Sequence, residues 1–332
     1  MSHKVLCLTH SQDYYVTELV DASLAALGLK MVRMNTDQFP LNIQISAMQT
    51  NQGINGTIEI DGVRHYLSDF VAVWFRKNQH SNLNSALTGE TLSQATKEST
   101  AAKNAVLYAL ESIFWFDFPF DIQRAENKQL QLILAKKCGL TIPNSLLSNS
   151  PDAVRQFFDN ENGHLITKML TPLTTFMHNP KAFVYTSKVN REHLSKLDSL
   201  KYCPMQFQQE IEKAYELRVV FVAGEFFTGK ISSKTAVSKQ SLDWRSTEHP
   251  HLCWKPYQLP DTVCQQIRLL MARLSLNFGA LDIIRATNGD YVFLEVNPCG
   301  EWGMLQKELD LPIAQSIARC IKNNVNTGLS HE

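Results

Sequence analysis

The stretch 281–299, LDIIRATNGDYVFLEVNPC, carries three oxygen-bearing side chains whose spacing could hold a hard cation. Two apolar runs rich in β-branched and aromatic residues flank Asn288-Gly289. Both of those residues tolerate positive φ, so the pattern predicts a β-hairpin with a two-residue turn there. Such a turn sets Asp282 directly opposite Glu295, with Asn297 two residues on and facing the same way. Two carboxylates side by side on a sheet repel each other. A divalent cation between them removes the repulsion, and the amide oxygen of Asn297 is a suitable third ligand. The alternative is a pair of solvated strand carboxylates. Asp, Glu and Asn converging on one face of an otherwise apolar hairpin favour a magnesium site.

Lys168 is the second group that could do chemistry. It lies in the apolar body of a predicted strand, 164–170, where a lysine more commonly faces solvent. The segment 206–216 follows, with Gln-Gln-Glu-Ile, Glu216 and then Arg218. A nucleotide site needs lysines for phosphate oxygens, backbone groups for the base edge and a carboxylate for ribose hydroxyls. It also needs acidic ligands for the metal that bridges the phosphates. The chain offers these parts in the order lysine, hinge, carboxylate, metal hairpin.

The elements that must position these groups begin with strand, helix and strand over 4–9, 14–27 and 30–35, the opening of an open α/β unit. A hairpin is expected over 54–60 and 63–67, an apolar strand over 70–76 ending in Arg76-Lys77, and one long helix over 91–114. The periodicity then predicts helices over 126–138 and from Ser150-Pro151, where serine caps and proline suits the first turn. Strands follow over 183–186, 204–211, 217–222 and 225–232, then an amphipathic helix over 262–276 and a last helix over 312–321. The 332 residues are 44% hydrophobic and 19% charged, with 32 basic and 32 acidic side chains. Zero net charge offers no reason to expect nucleic acid or an anionic membrane as partner. Seven cysteines without a C-x-x-C pair read as reduced thiols, and no run reaches transmembrane length. The expectation is a cytoplasmic protein.

Four runs carry a resemblance: RAENKQLQLILAKKCGLTIPNSLLSN (124–149), QFQQEIEKAYELRVVFV (206–222), Asp-Trp-Arg at 243–245 and FGALDIIRATNGDYVFLEVNPCGEWG (278–303). With VWFRK at 73–77, the chain resembles the ATP-grasp carboxylate–amine ligases, and more narrowly the microviridin-type maturases that close macrocycles in graspetide peptides. The resemblance implies an α/β (α+β) fold with an N-terminal open α/β pre-ATP-grasp domain (1–115), a central lid domain (116–203) and a C-terminal antiparallel-sheet domain (204–332). It also implies Lys128 and Lys168 as phosphate lysines, Glu210 and Ile211 as the adenine hinge through backbone atoms, and Glu216 as the ribose contact. Asp282, Glu295 and Asn297 become the Mg²⁺ ligands. Arg218, Lys230 and Arg245 are candidates for phosphate or acceptor-carboxylate binding, with surface or structural ion pairs as the alternative. No Gly-rich phosphate loop follows Lys168, which leaves 171–190 without assignments.

The implied reaction moves the γ-phosphoryl of ATP to an Asp or Glu side chain of a precursor peptide, with two magnesium ions. A Thr or Ser hydroxyl, or a Lys amine, of the same peptide then attacks the acyl phosphate to form an ω-ester or ω-amide. No covalent enzyme nucleophile is needed. The expected partner is a precursor peptide with a leader segment, for which Arg76 and Lys77 are docking candidates, and the expected assembly is a homodimer. A ligase adding free amino acids to a protein tail or small acid is the enzymatic alternative. An ATP-binding module without turnover is the non-enzymatic one, and the complete ligand set argues against it.

Overall fold

The computed structural model describes residues 3–83, 87–170, 186–232 and 254–328. The N-terminal part runs β1 (Lys4–Thr9), α1 (Tyr15–Ala26), β2 (Lys30–Asn35), β3 (Ile43–Thr50), β4 (Gly53–Ile60), β5 (Val63–Tyr66), β6 (Phe70–Phe75), α2 (Gly89–Tyr108) and β7 (Phe114–Phe116). A parallel sheet has the order β2-β1-β6-β7, and β3-β4-β5 form a separate antiparallel sheet. Asp61 and Gly62 both take positive φ in the tight turn between β4 and β5, the hairpin expected there. Two features depart from the sequence reading. β3 has no counterpart in the sequence reading, and the helix expected to reach 114 ends at Tyr108, with β7 starting a short new strand at Phe114. Three residues, Phe-Trp-Phe, are too few to show a period.

The chain continues with α3 (Pro119–Ala125), α4 (Lys128–Lys137), β8 (Ser145–Ser148), α5 (Pro151–Asn160), β9 (Leu165–Lys168), β10 (Ser187–Val189) and β11 (Met205–Gln209). Ser150 caps α5 by accepting from the Ala153 N–H at 3.3 Å, with Pro151 in the first turn. β10-β9-β11-β8 form an antiparallel sheet with α5 packed on one face through Val154, Phe158, Leu165 and Phe207. The last part holds β12 (Lys213–Val222), β13 (Glu225–Ser232), β14 (Lys255–Pro256), α6 (Asp261–Leu274), β15 (Phe278–Ala286), β16 (Tyr291–Asn297), α7 (Gly303–Leu309) and α8 (Ile313–Gly328). Its antiparallel sheet has the order β14-β13-β12-β15-β16. β11 completes the central sheet, whereas α3 and α4 share a core with α6 and the C-terminal sheet.

That sheet is covered on both faces. Leu217, Val219, Phe221, Ile283 and Phe293 point toward α3, α4 and α6. Val220, Val222, Phe227 and Ala280 point the other way, into a core shared with α1, α8, the parallel sheet and the fully buried Trp302. Each fully buried large apolar side chain contributes about 1.5–3 kcal/mol, so this shared core fixes the C-terminal sheet against the N-terminal one. No helix among the described residues is long and apolar enough to cross a membrane.

Candidate active site

The β15–β16 hairpin turns differently from the sequence reading yet delivers the same pair. The Gly289 N–H donates to Ala286 C=O at 3.0 Å, the Ala286 N–H to Asp290 C=O at 2.9 Å, and only Gly289 takes positive φ. The loop is therefore Thr287-Asn288-Gly289, one residue longer than a two-residue turn. A bulge at Leu294 takes up the extra residue, restoring the pairing of Asp282 with Glu295 and of Ala280 with Asn297.

Arg218 on β12 pairs in register with Asp282. Its Nη1 donates to Asp282 Oδ1 at 2.8 Å and its Nη2 to the Glu301 carbonyl at 2.9 Å. Lys128, the first residue of α4, forms an ion pair with Glu295. Asn127 caps that helix by accepting from the Leu130 N–H at 3.0 Å. One turn on, the Gln131 amide accepts from the Val296 N–H at 2.9 Å and donates to the Val296 carbonyl at 2.8 Å. Gln131 so seals the open edge of β16 beside Glu295 and holds Lys128 within reach. Arg218 and Lys128 supply the positive charge that two facing carboxylates require. Asp282, Glu295 and the Asn297 amide are all hard oxygen donors, which fits a magnesium ion. Asn297 Oδ1 also accepts the Cys299 N–H at 3.0 Å, which fixes its direction.

On the central sheet, register places Ile166, Lys168, Lys188, Gln206 and Gln208 on the face turned away from α5. Gln206 and Gln208 are each 2% exposed, yet their Oε1 atoms accept no hydrogen bond among the described residues. Glu210, Ile211 and Glu212 link this sheet to β12, so a ligand against their backbone touches both sheets. The Glu210 N–H is already given to the His164 carbonyl at 2.8 Å, and its carboxylate meets Lys188 at 2.7 Å. Glu216 is ion-paired with Lys213. Between hinge and carboxylates lies a small apolar cluster of Ile284, Ala286 and Val292, with Ile211 and Leu294 beside it.

Comparisons with known proteins bear on this arrangement. Residues 4–123 match the family model of the MvdD pre-ATP grasp domain. No curated protein matches the sequence. Among solved structures, macrocyclase MdnB from Microcystis aeruginosa MRC is 38% identical, with 96% of this chain and 99% of that chain covered and a TM-score of 0.83. Macrocyclase MdnC of the same organism, bound with precursor peptide MdnA, is 34% identical over 96% and 99%, with a TM-score of 0.86. The chain belongs to the microviridin-type ATP-grasp ligases. A RiPP-associated ATP-grasp ligase of Chryseobacterium gregarium, in complex with ADP and a leader and core peptide, is 28% identical over 97% of both chains with a TM-score of 0.88.

In this ATP-grasp ligase some expected groups sit elsewhere. Lys230 pairs with Leu217 and so faces away from Asp282, with its Nζ 3.8 Å from the centre of the Tyr215 ring. Alternation along β13 decides this, and the structure does not bring Lys230 to the carboxylates. Arg245 and the rest of Asp-Trp-Arg lie outside the described residues, as does 183–185 of the strand expected over 183–186. Arg76, expected as a leader-docking candidate, has a side chain only 2% exposed, and Lys77 is ion-paired with Glu301. A strand-end Arg-Lys pair looks like an exposed basic patch in sequence because nothing local shows its distant acceptors. Trp302 is a core residue, as its type suggests.

Sequence reasoning missed Asp117, just after β7. It accepts from the Asn277 N–H at 2.9 Å, the Asn277 side chain at 2.7 Å and the Phe278 N–H at 2.9 Å, anchoring the start of β15. Burial pushes its carboxyl up from 3.8 to about 6, against those hydrogen bonds. A group whose folded pKa is raised stabilises the fold fully below its unfolded value, and that contribution is lost as pH rises through the folded one. Urea unfolding of the wild type and Asp117→Asn is expected to show the wild type losing ground to the variant between pH 4 and pH 6.

Proposed function

We propose that the chain activates Asp or Glu side chains of a ribosomal precursor peptide with ATP and closes ω-ester or ω-amide macrocycles. The observation that carries this reading is the facing pair Asp282–Glu295, flanked by Arg218 and Lys128 on the sheet face that the hinge enters. Family membership over nearly the whole chain supports it, because the macrocyclases MdnC and MdnB are its relatives.

Each group has a chemical part. Asp282, Glu295 and Asn297 would hold magnesium, which when bound offsets charge on the transferring phosphoryl group. Lys128 and Lys168 would contact phosphate oxygens, which for Lys128 means leaving Glu295. The base edge presents a donor and an acceptor. With its own N–H already used, Glu210 would offer its carbonyl and Ile211 its N–H, above the apolar cluster of Ile284 and Val292. Glu216 would meet the ribose hydroxyls in place of Lys213. Arg218 would steady the acceptor carboxylate as it becomes an acyl phosphate; attack by Thr, Ser or Lys of the peptide then releases phosphate. Desolvation pushes the Cys299 thiol up to about 12, which suits a mechanism without an enzyme thiolate. Two magnesium ions, a homodimer and a cytoplasmic setting belong to the same proposal. Six cysteines among the described residues are all free, which supports a reducing compartment.

The deciding experiment incubates an acidic, Thr- or Lys-containing precursor peptide with enzyme, ATP and Mg²⁺ and reads intact mass. Loss of one water per ring supports macrocyclisation. Gain of an amino-acid residue mass would move the activity to tail addition. Within this reading, Lys168→Ala is expected to weaken ATP binding about tenfold to a hundredfold while leaving the melting temperature near that of the wild type, checked by calorimetric titration with a non-hydrolysable ATP analogue.

A further inference from the structure

Asp282 is steadied from a distance. Arg76, at the end of β6, is a nearly fully buried cation whose contacts all lie in other segments. Its Nη1 donates to the Cys299 carbonyl at 2.9 Å and approaches the Gly300 carbonyl at 3.4 Å. Its Nη2 donates to Glu301 Oε2 at 2.8 Å, and its Nε lies 3.4 Å from Asp13 Oδ2. Asp13 is itself held by the Thr9 hydroxyl at 2.7 Å, so Arg76 is anchored in the parallel sheet. Lys77 takes the other oxygen of Glu301. Burial raises the Glu301 carboxyl, but Arg76 and Lys77 more than offset this and hold it below the usual carboxylate range. The Glu301 backbone carbonyl accepts from Arg218 Nη2 at 2.9 Å, and Arg218 Nη1 holds Asp282. An ion pair between Asp13 and Arg76, followed by charge-assisted hydrogen bonds, therefore links the parallel sheet through Arg76, the 299–301 loop and Arg218 to Asp282.

We infer that Arg76 and Glu301 are positioning residues that set the magnesium carboxylate Asp282 through Arg218, making the N-terminal sheet part of the metal site. This rests on the reading of Asp282 and Glu295 as metal ligands. Arg218 has two jobs in that geometry, and without the Glu301 carbonyl in place its guanidinium can rotate away from Asp282. Groups that orient metal ligands commonly change affinity about tenfold to a hundredfold when removed.

Glu301 is the position to test, because its side chain is 51% exposed and its loss opens no core cavity. Mn²⁺, in place of Mg²⁺, is titrated into the full chain with a non-hydrolysable ATP analogue and followed by electron paramagnetic resonance. Glu301→Ala is expected to bind Mn²⁺ at least about tenfold more weakly, with Glu301→Gln in between because its amide oxygen still accepts from Arg76. The half-saturating Mg²⁺ concentration for ADP release should rise in the same order, while the melting temperature stays near that of the wild type. Wild-type Mn²⁺ affinity in Glu301→Ala overturns this link, provided that Glu295→Ala loses Mn²⁺ binding. If Glu295→Ala also keeps wild-type affinity, the metal assignment itself fails. Arg76→Lys, which keeps the charge but not the forked donors, should resemble Glu301→Ala, and wild-type Mn²⁺ affinity there also overturns the proposal.

Discussion

Glu295→Ala is expected to lower ligation by about a hundredfold to a thousandfold while the protein still folds, because the lost carboxylate acts on charge that develops during phosphoryl transfer. Three features make the effect large. Glu295 is one of only two carboxylates on this face of the hairpin, so its loss leaves Asp282 and one amide oxygen for the metal. Lys128 loses the anion that holds it and no longer waits in a fixed position at the helix start. Arg218 still orients Asp282, but the face then carries one carboxylate instead of two beside that guanidinium, so less negative charge is left for the metal. The fold survives because Gln131 grips the β16 edge through the Val296 backbone, which does not depend on the neighbouring side chain. Single-turnover ADP formation with precursor peptide, alongside a thermal melt, checks both halves. Wild-type turnover in this variant would sink the metal assignment.

Gly300→Ala is expected to cost both stability and activity. A Cβ at this position would come 2.5 Å from the Ala280 Cβ, 2.9 Å from Arg218 Nη2 and 3.2 Å from the Asn297 Cβ. The first contact is with a side chain that has no torsion to relieve it, on the strand that carries Asp282. The other two displace Arg218 and Asn297, both part of the proposed site. Overpacking of this kind costs about 1–3 kcal/mol, and small displacements of reacting groups can cost about a hundredfold in rate. Denaturant unfolding should therefore show a loss within that range, and ligation should fall far more than the unfolded fraction explains. An unaltered rate with normal stability would mean that the loop can withdraw without disturbing Arg218.

The two variants probe the same carboxylates from opposite sides, and their legibility in sequence differs. Glu295 is readable because strand alternation is local: Glu295 and Asn297 share a face, and the turn residues between the strands point to Asp282 as the facing partner. Even so, the pairing arises by another route, a longer loop corrected by the Leu294 bulge. A bulge leaves no clear mark in the residue types, since Leu294 suits either face. Gly300 is a different case. Nothing nearby in sequence says that a Cβ there meets Ala280 and Arg218.

What the sequence by itself determined was the set of parts and their order. Hydrophobic periodicity, caps and turn residues act over a few residues, and they sufficed for β1-α1-β2, for the body of α4, for α5 behind Ser150 and for the existence of the β15–β16 hairpin. Runs of residue types sufficed for the family. Only the tertiary structure decided which cation meets which carboxylate. Lys128 lies far along the chain from Glu295, and Arg76 still farther from Glu301. The Arg76–Glu301 pair depends on how two sheets pack around the shared core of Trp302, Val220 and α8, and the Lys128–Glu295 pair on how α4 packs against the C-terminal sheet, not on any local spacing. The same packing turned Arg76 from a supposed docking residue into a buried tether, and strand alternation relative to that core sent Lys230 to the far face. Charge type is written residue by residue; charge partnership is a property of the folded chain, because Coulomb attraction depends on distance in space.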